Sequence, residues 1–237
     1  MKKISILLLY QKEMNIYGDT GNLLVLLQRL KWRGIEYEVH NVGVGESLTK
    51  KADLILGGGG QDASQLVVES DLRQKADTLR KLADDNIPML MVCGMYQLFG
   101  KSFTTSDKKL LKGISIFDCE TIATKKRLIG NVVLDTQWGR MVGYENHSGK
   151  TYLGEGLEPL GDVVKGGGNN GKDGKEGARV KNVFGSYLHG PLLSKNPVFA
   201  DYLLELALEH AGLDVELTKL DDSLENQANK LAAGRPY

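Results

Sequence analysis

Ile87-Pro-Met-Leu-Met-Val-Cys-Gly-Met-Tyr-Gln-Leu-Phe-Gly100 is the stretch that decides the fold. Met89 to Val92 form a short continuous apolar run, the pattern of a strand buried on both faces of a parallel sheet. The run stops at Cys93-Gly94, and Met95 to Phe99 then read as the start of a helix. A cysteine at a sharp strand-to-helix turn is placed for chemistry. Its sulfur is lifted off the sheet, and the helix N-terminus beside it favours the thiolate. Gly94 tolerates the strained backbone that such an elbow needs. Taken alone, the same pattern also fits a small buried hydrophobe, the usual role of a free cysteine.

Working outward, residues 3–10 read as a first strand, 36–42 as a second and 53–56 as a third. The loop Asn15-Ile-Tyr-Gly-Asp-Thr-Gly-Asn22 precedes a helix over 22–32, which Asp19 or Thr20 can cap. It lacks G-x-G-x-x-G spacing and reads as a plain connection. Gly57-Gly58-Gly59-Gly60 follows the third strand directly. Such a run implies a tight turn or close backbone approach, at the carboxyl end of a strand where ligands bind in open sheets. A helix over 69–85 leads back to the decisive stretch. This alternation predicts an α/β fold: a doubly wound, mostly parallel sheet flanked by helices.

Beyond Gly100 the texture changes. Short β-like pieces are expected at 113–123, 131–136 and 141–144, with Cys119 as a core residue and Lys125-Lys126-Arg127 as a solvated basic run. Gly149-Lys150-Thr151 resembles the end of a P-loop, but Tyr144 stands where its first glycine belongs, and nucleotide binding there is rejected. Gly166 to Gly174 reads as a flexible hairpin or surface loop. Residues 178–188 read as one strand ending at His189-Gly190-Pro191, and 196–211 as an amphipathic helix. Leu217, Leu220, Leu224, Ala228 and Leu231 recur at helical spacing, as in a helix packed on its own domain. The chain is expected to be one domain over 1–237, with a core over 3–211 and a helical extension over 212–237.

Thirty basic residues balance thirty acidic ones, which gives no electrostatic case for nucleic acid or an anionic membrane surface. Two distant cysteines argue against a disulfide framework and a zinc ribbon, and no metal site is expected. No apolar run approaches a membrane span, and Ile4 to Tyr10 read as a core strand rather than a signal peptide. A cytoplasmic protein is expected.

A thiolate nucleophile needs a base close by, which need not be near in sequence. Of four histidines, His189 ends a late strand that can lie beside the one carrying Cys93; His147, in Glu145-Asn-His-Ser-Gly149, is the second choice.

Val92-Cys-Gly-Met-Tyr-Gln97, with Tyr187-Leu-His-Gly-Pro191 further on, resembles the class I glutamine amidotransferases. The similarity is to the cobyric acid and cobyrinic acid diamide synthase branch and covers about residues 3–211. The motifs 15–22, Tyr144 to Gly149 and Gly168-Asn-Asn170 resemble the free-standing glutaminase subunits of lipid II isoglutaminyl synthases. The resemblance implies that Cys93 attacks the side-chain amide of L-glutamine and that His189 activates the thiol and protonates the leaving ammonia. It implies an oxyanion hole from the backbone N–H of Gly94 and one from the glycine loop, Gly58 or Gly59. It makes Arg127 the substrate-binding residue, its guanidinium fork suiting a carboxylate. It implies no cofactor in this chain. ATP and Mg would sit on a Mur-ligase-like synthetase partner that amidates the D-glutamate of the lipid II stem. The alternatives are a γ-glutamyl hydrolase or peptidase of the same fold, and a non-catalytic scaffold subunit.

Two departures stand out. Met95 replaces the second glycine of the branch's Cys-Gly-Gly-Tyr-Gln, either narrowing the pocket or filling space. Pro191 occupies the place where many class I enzymes carry a Glu that orients the histidine. That leaves Glu145 or an acid from the partner, and the partner is the expectation.

Overall fold

The computed structural model describes residues 3–48 and 51–237. The first half of the chain runs β1 (Ile4–Leu9), α1 (Thr20–Trp32), β2 (Tyr37–Val42), β3 (Leu54–Gly57), α2 (Asp62–Gln74), α3 (Ala76–Asp84), β4 (Met89–Val92) and α4 (Gly94–Phe99). The second half runs β5 (Ser102–Thr104), β6 (Leu110–Lys112), β7 (Cys119–Thr136), β8 (Gly139–Leu153), β9 (Gly161–Lys165), β10 (Lys175–Glu176), β11 (Ala178–Val180), β12 (Val183–Ser186), α5 (Pro197–His210) and α6 (Ser223–Gly234).

Six strands form the main sheet in the order β11-β12-β4-β3-β1-β2. All its pairings are parallel except β11 with β12. The mostly parallel α/β architecture expected from the alternation is therefore present. Every residue of β1, β3 and β4 is buried, as their unbroken apolar sequences require. β4 lies between β3 and β12, with Val92 opposite Ser186. That register brings the end of β12, and so His189, beside the elbow at Cys93.

The β-like pieces after Gly100 are longer and more continuous than their sequence suggests. β7 has 18 residues and pairs along most of its length with β8, the register shifting between Ala123 and Leu128. The basic run 125–127 lies inside this strand, at the irregularity, and keeps its charges in solvent. Alternation fails to announce the strand there because a bulge breaks the period of two. A second six-stranded sheet results, in the order β10-β9-β7-β5-β6 with β8 on β7. The two sheets are joined by a bridge between Tyr144 and His189, with N–H to O distances of 3.1 and 2.9 Å.

Other boundaries differ for local reasons. The helix expected over 69–85 is two helices, the first starting at Asp62, whose carboxylate suits a helix N-terminus. They part at Lys75, whose side chain folds back onto Asp71. The strand expected over 178–188 is a hairpin, because Lys181 takes a positive φ of 51° in the turn. The glycine-rich loop after Gly166 is no loose surface loop: Asn169 and Asn170 are buried, and Gly167 and Gly168 bind Glu145.

The C-terminal extension docks by polar contacts rather than by its leucine stripe. Leu224 and Leu231 are 75% and 63% exposed. It is Asn229 that faces inward, donating to the carbonyls of Lys195 at 2.9 Å and Arg140 at 3.2 Å. Leu217 alone of the stripe packs against the core. Ahead of α6, buried Arg29 on α1 grips Asp201 of α5 and Asp222, each with a shortest contact of 2.6 Å. No helix among the described residues is long and apolar enough to cross a membrane.

Candidate active site

Cys93 closes β4 with φ 51° and ψ −104°, a backbone conformation that L-residues rarely hold. Such strain costs of order 1–3 kcal/mol and persists only where its surroundings fix it. Here the Cys93 N–H donates to Ser186 O at 2.8 Å, and its carbonyl accepts Gln97 N–H at 3.0 Å as α4 begins. Gly94 is glycine because space runs out: a Cβ there would lie 2.9 Å from Gly60 N and 2.7 Å from the Met14 methyl. Met95 is fully buried and packs over Gly57, so it fills space and does not narrow the cleft.

His189 lies three residues beyond β12, in a loop where Gly190 takes a positive φ. Its backbone is held by Tyr144 and its ring by Asp19, whose Oδ1 lies 2.9 Å from Nδ1. The other Asp19 oxygen accepts Gly59 N–H at 2.7 Å. Asp19 makes no side-chain capping bond to α1. The capping role expected of it is thus replaced by a catalytic-type contact. The acid next to His189 comes from this chain, not from Glu145, and needs no partner. Glu145 is saturated elsewhere, accepting Gly167 N–H at 2.7 Å and Gly168 N–H at 2.9 Å. One signal pointed to Asp19: an acidic residue in the loop at the carboxyl end of β1, on the rim where the sheet presents its ligand crevice.

With Nδ1 facing a carboxylate, Nε2 is the working nitrogen, and it is buried without a hydrogen-bond partner. Burial alone lowers the His189 pKa, but the Asp19 hydrogen bond and the neighbouring Cys93 side chain outweigh it and raise it to about 10. The site therefore favours an imidazolium beside the sulfur. Gly59 sits between the two: a Cβ there would lie 3.0 Å from His189 Cε1 and 3.1 Å from Cys93 Cβ. Its N–H is engaged by Asp19, so Gly59 cannot be the oxyanion donor expected of the loop. Gly58 uses its carbonyl to accept Met95 N–H at 3.3 Å. Gly60 N lies 2.9 Å from where a Gly94 Cβ would stand, so the glycine loop and the elbow backbone meet here.

A cleft of about 650 Å³ opens over Cys93, its walls including Gln61, Gln97, Arg127, Asn146 and His147. Arg127 is thus in the same cleft as the thiol. Its Nε and Nη2 hold Asn146 Oδ1 at 3.0 and 2.8 Å, and Nη2 holds the Asn146 carbonyl at 2.9 Å. Nη1 takes no part in these bonds. His147, the second candidate base, stacks flat on Tyr187 with ring centroids 3.6 Å apart. Its Nδ1 meets Gly149 O at 2.7 Å and its Nε2 lies 3.5 Å from Glu145, so it is a wall of the cleft rather than the base. Tyr17 also lines the cleft, its ring in a T-shaped contact with His189 at 4.9 Å between centroids. Cys119 lies away from the cleft, and burial pushes its thiol up to about 12.

A thiol at a strained elbow, an imidazole with one nitrogen free, and an acid on the other nitrogen can carry out nucleophilic chemistry at an acyl carbon. Comparison with known proteins narrows that class. Residues 5–197 match the CobB/CobQ-like glutamine amidotransferase domain. The chain is 38% identical over 237 residues to "Lipid II isoglutaminyl synthase (glutamine-hydrolyzing) subunit GatD" of Staphylococcus aureus strain N315, covering 99% of this chain and 97% of that one. It is 34% identical to the protein of the same name from Streptococcus pneumoniae strain R6, over 95% and 88% of the two chains. A probable cobyric acid synthase of Methanothermobacter thermautotrophicus is 32% identical over 80% of this chain but only 40% of its own length. Among solved structures, a glutamine amidotransferase superposes with a TM-score of 0.59 at 19% identity, over 85% of this chain and 98% of the other. PurLQS from Thermotoga maritima gives 0.60 at 14% identity, over 89% and 99%. These two show the shared fold. The chain belongs to the CobB/CobQ-like glutamine amidotransferase family, and is a glutamine amidotransferase enzyme.

Proposed function

We propose that this chain is the glutaminase subunit of a lipid II isoglutaminyl synthase. The carrying observation is the strained Cys93 beside an imidazole anchored by Asp19, within a chain matching GatD relatives nearly end to end. L-glutamine enters the cleft with its carboxylate toward Arg127. The Cys93 thiolate attacks the side-chain amide carbon, and the N–H of Gly94 and one from the glycine loop take the developing oxyanion. His189 Nε2 gives its proton to the leaving nitrogen, which departs as ammonia. The same nitrogen then takes a proton from the water that attacks the thioester; glutamate is released, and the sulfur leaves as the thiolate beside the restored imidazolium. Asp19 keeps the ring in register throughout and stabilises its charged form.

Ammonia needs an activated acceptor. The names of the relatives point to lipid II, and the resemblance to a Mur-ligase-like partner binding ATP and Mg that amidates the D-glutamate of the stem. Two unpaired cysteines suit a reducing compartment, and we place the protein in the cytoplasm. The test is Cys93→Ala in the complex. Glutamine-driven amidation should vanish while amidation from free ammonia continues. Glutamine hydrolysis at the wild-type rate would overturn the assignment, and full glutamine-driven amidation would favour a scaffold.

A further inference from the structure

Glu176 has no part in the chemistry described, yet its place beneath the site is unusual. It is fully buried at the end of β10 in the second sheet, where its carbonyl accepts Leu160 N–H at 2.9 Å. Its carboxyl group crosses to the first sheet. Oε1 accepts Tyr187 N–H at 2.6 Å, and the Ser186 hydroxyl donates toward the two oxygens at 3.4 and 3.3 Å. That hydroxyl oxygen in turn accepts Leu188 N–H at 3.0 Å. Ser186 O is the atom that accepts the Cys93 N–H. One carboxyl group thus fixes Ser186, Tyr187 and Leu188, the three residues that lead from the backbone partner of Cys93 to His189.

We propose that Glu176 is a positioning residue for the Cys93–His189 pair, clamping the Ser186–Leu188 backbone and, when ionised, adding its charge to that of Asp19 on the imidazole. The hydrogen-bond partners of Glu176 are an amide and a hydroxyl, not a cation. Burial pushes the carboxyl up to about 8; Tyr187 N–H, the Ser186 hydroxyl and His189 oppose the rise, and Glu145 adds to it. The titratable groups facing it are Glu145 from β8, His189 after β12 and Tyr96 from α4. When the carboxyl is protonated, its Oε2–H donates along the 3.3 Å contact to the Ser186 hydroxyl oxygen while Oε1 still accepts Tyr187 N–H, so the clamp holds without a charge. Above pH 8 it is an anion beneath the imidazolium and strengthens it, which alters how readily His189 gives up its proton.

Glu176→Gln keeps an acceptor for Tyr187 N–H and removes the charge; Glu176→Ala removes both. Two readouts are followed in the full chain across about pH 6 to pH 10: glutamine hydrolysis, and alkylation of Cys93 by iodoacetamide. Only the first rests on the glutaminase reading. Glu176→Gln should stay within about threefold of wild type at neutral pH and lose an inflection near pH 8 in both profiles. Glu176→Ala should lower kcat at least about tenfold with little change in KM, as expected when alignment rather than binding is lost. Retention of the inflection by Glu176→Gln overturns the proposal, as does wild-type kcat and alkylation in a folded Glu176→Ala protein. If Glu176→Ala does not fold, the Gln variant decides. Absence of hydrolysis from wild type and variants alike would count against the glutaminase reading, leaving the alkylation profiles to judge Glu176.

Discussion

Asp19→Asn is the sharpest probe of the site. Asp19 accepts two bonds, from Gly59 N–H at 2.7 Å and from His189 Nδ1 at 2.9 Å. An asparagine has one acceptor oxygen. If that oxygen stays on Gly59, the amide NH2 faces Nδ1 and drives the ring proton to Nε2, the nitrogen that must receive one. If it stays on His189, Gly59 N–H is left buried and unpaired. Either outcome also removes the charge that offsets burial of the imidazolium. The expected loss in kcat is about 10²–10⁴, or roughly 3–5 kcal/mol of transition-state stabilisation, with KM less affected. The His189 pKa should fall from about 10 toward or below its ordinary value, because burial then acts with less opposition. That has a consequence for stability. A histidine raised in the folded state contributes stability that is complete below the unfolded value of about 6.5 and is lost as pH rises through about 10. Asp19→Asn should flatten this decline. Steady-state kinetics, alone and with the synthetase, together with imidazole titration by NMR, measure all of this. A variant within about threefold of wild type at every pH would refute the assignment of Asp19 and return attention to an acid on the partner.

Three further outcomes are expected. Arg127→Ala should raise KM for glutamine at least about tenfold and Arg127→Lys should recover little, because a lysine cannot form the fork; unchanged kinetics in both would return Arg127 to a solvated run. Gly59→Ala should cut kcat by about tenfold or more in a folded protein, since its methyl meets His189 Cε1 at 3.0 Å; circular dichroism and kinetics separate the two effects. Arg29→Ala should lower stability by about 3 kcal/mol in chemical denaturation, because it removes a buried cation from Asp222 and leaves Asp201 to Arg33 alone.

The meeting of Cys93 and His189 is legible in the sequence. A four-residue apolar run ending in Cys93-Gly94 has few foldings other than a central strand and an elbow, and a late strand ending in histidine fits beside it. Asp19 was harder to read, because an acid just before a helix looks the same whether it caps that helix or turns away to a histidine 170 positions later. The N–H of Gly59 is hidden for the same reason: only the fold shows that the Asp19 carboxylate takes it. The hairpin of β7 and β8 was obscured where a bulge and exposed basic residues break the period of two. Likewise, the helical spacing of the C-terminal stripe holds only from Leu224 to Leu231 on α6; Leu217 and Leu220 lie in irregular chain ahead of it, and buried Asn229 rather than the leucines decides which side docks.

The bridge between Tyr144 and His189 makes the second sheet part of the catalytic frame. Trp138, at the turn between β7 and β8, packs against Phe184 of β12 at 5.7 Å and Phe199 of α5 at 4.7 Å. The long hairpin therefore grips β12 near its start and the chain again at His189. A minimal domain pared down to the parallel sheet would keep Cys93 and Asp19 but expose Phe184 and leave the His189 amide and carbonyl unpaired. Dissection of this fold for engineering, whether by truncation or by splitting it into complementing fragments, must keep residues 119–153 with the late strand.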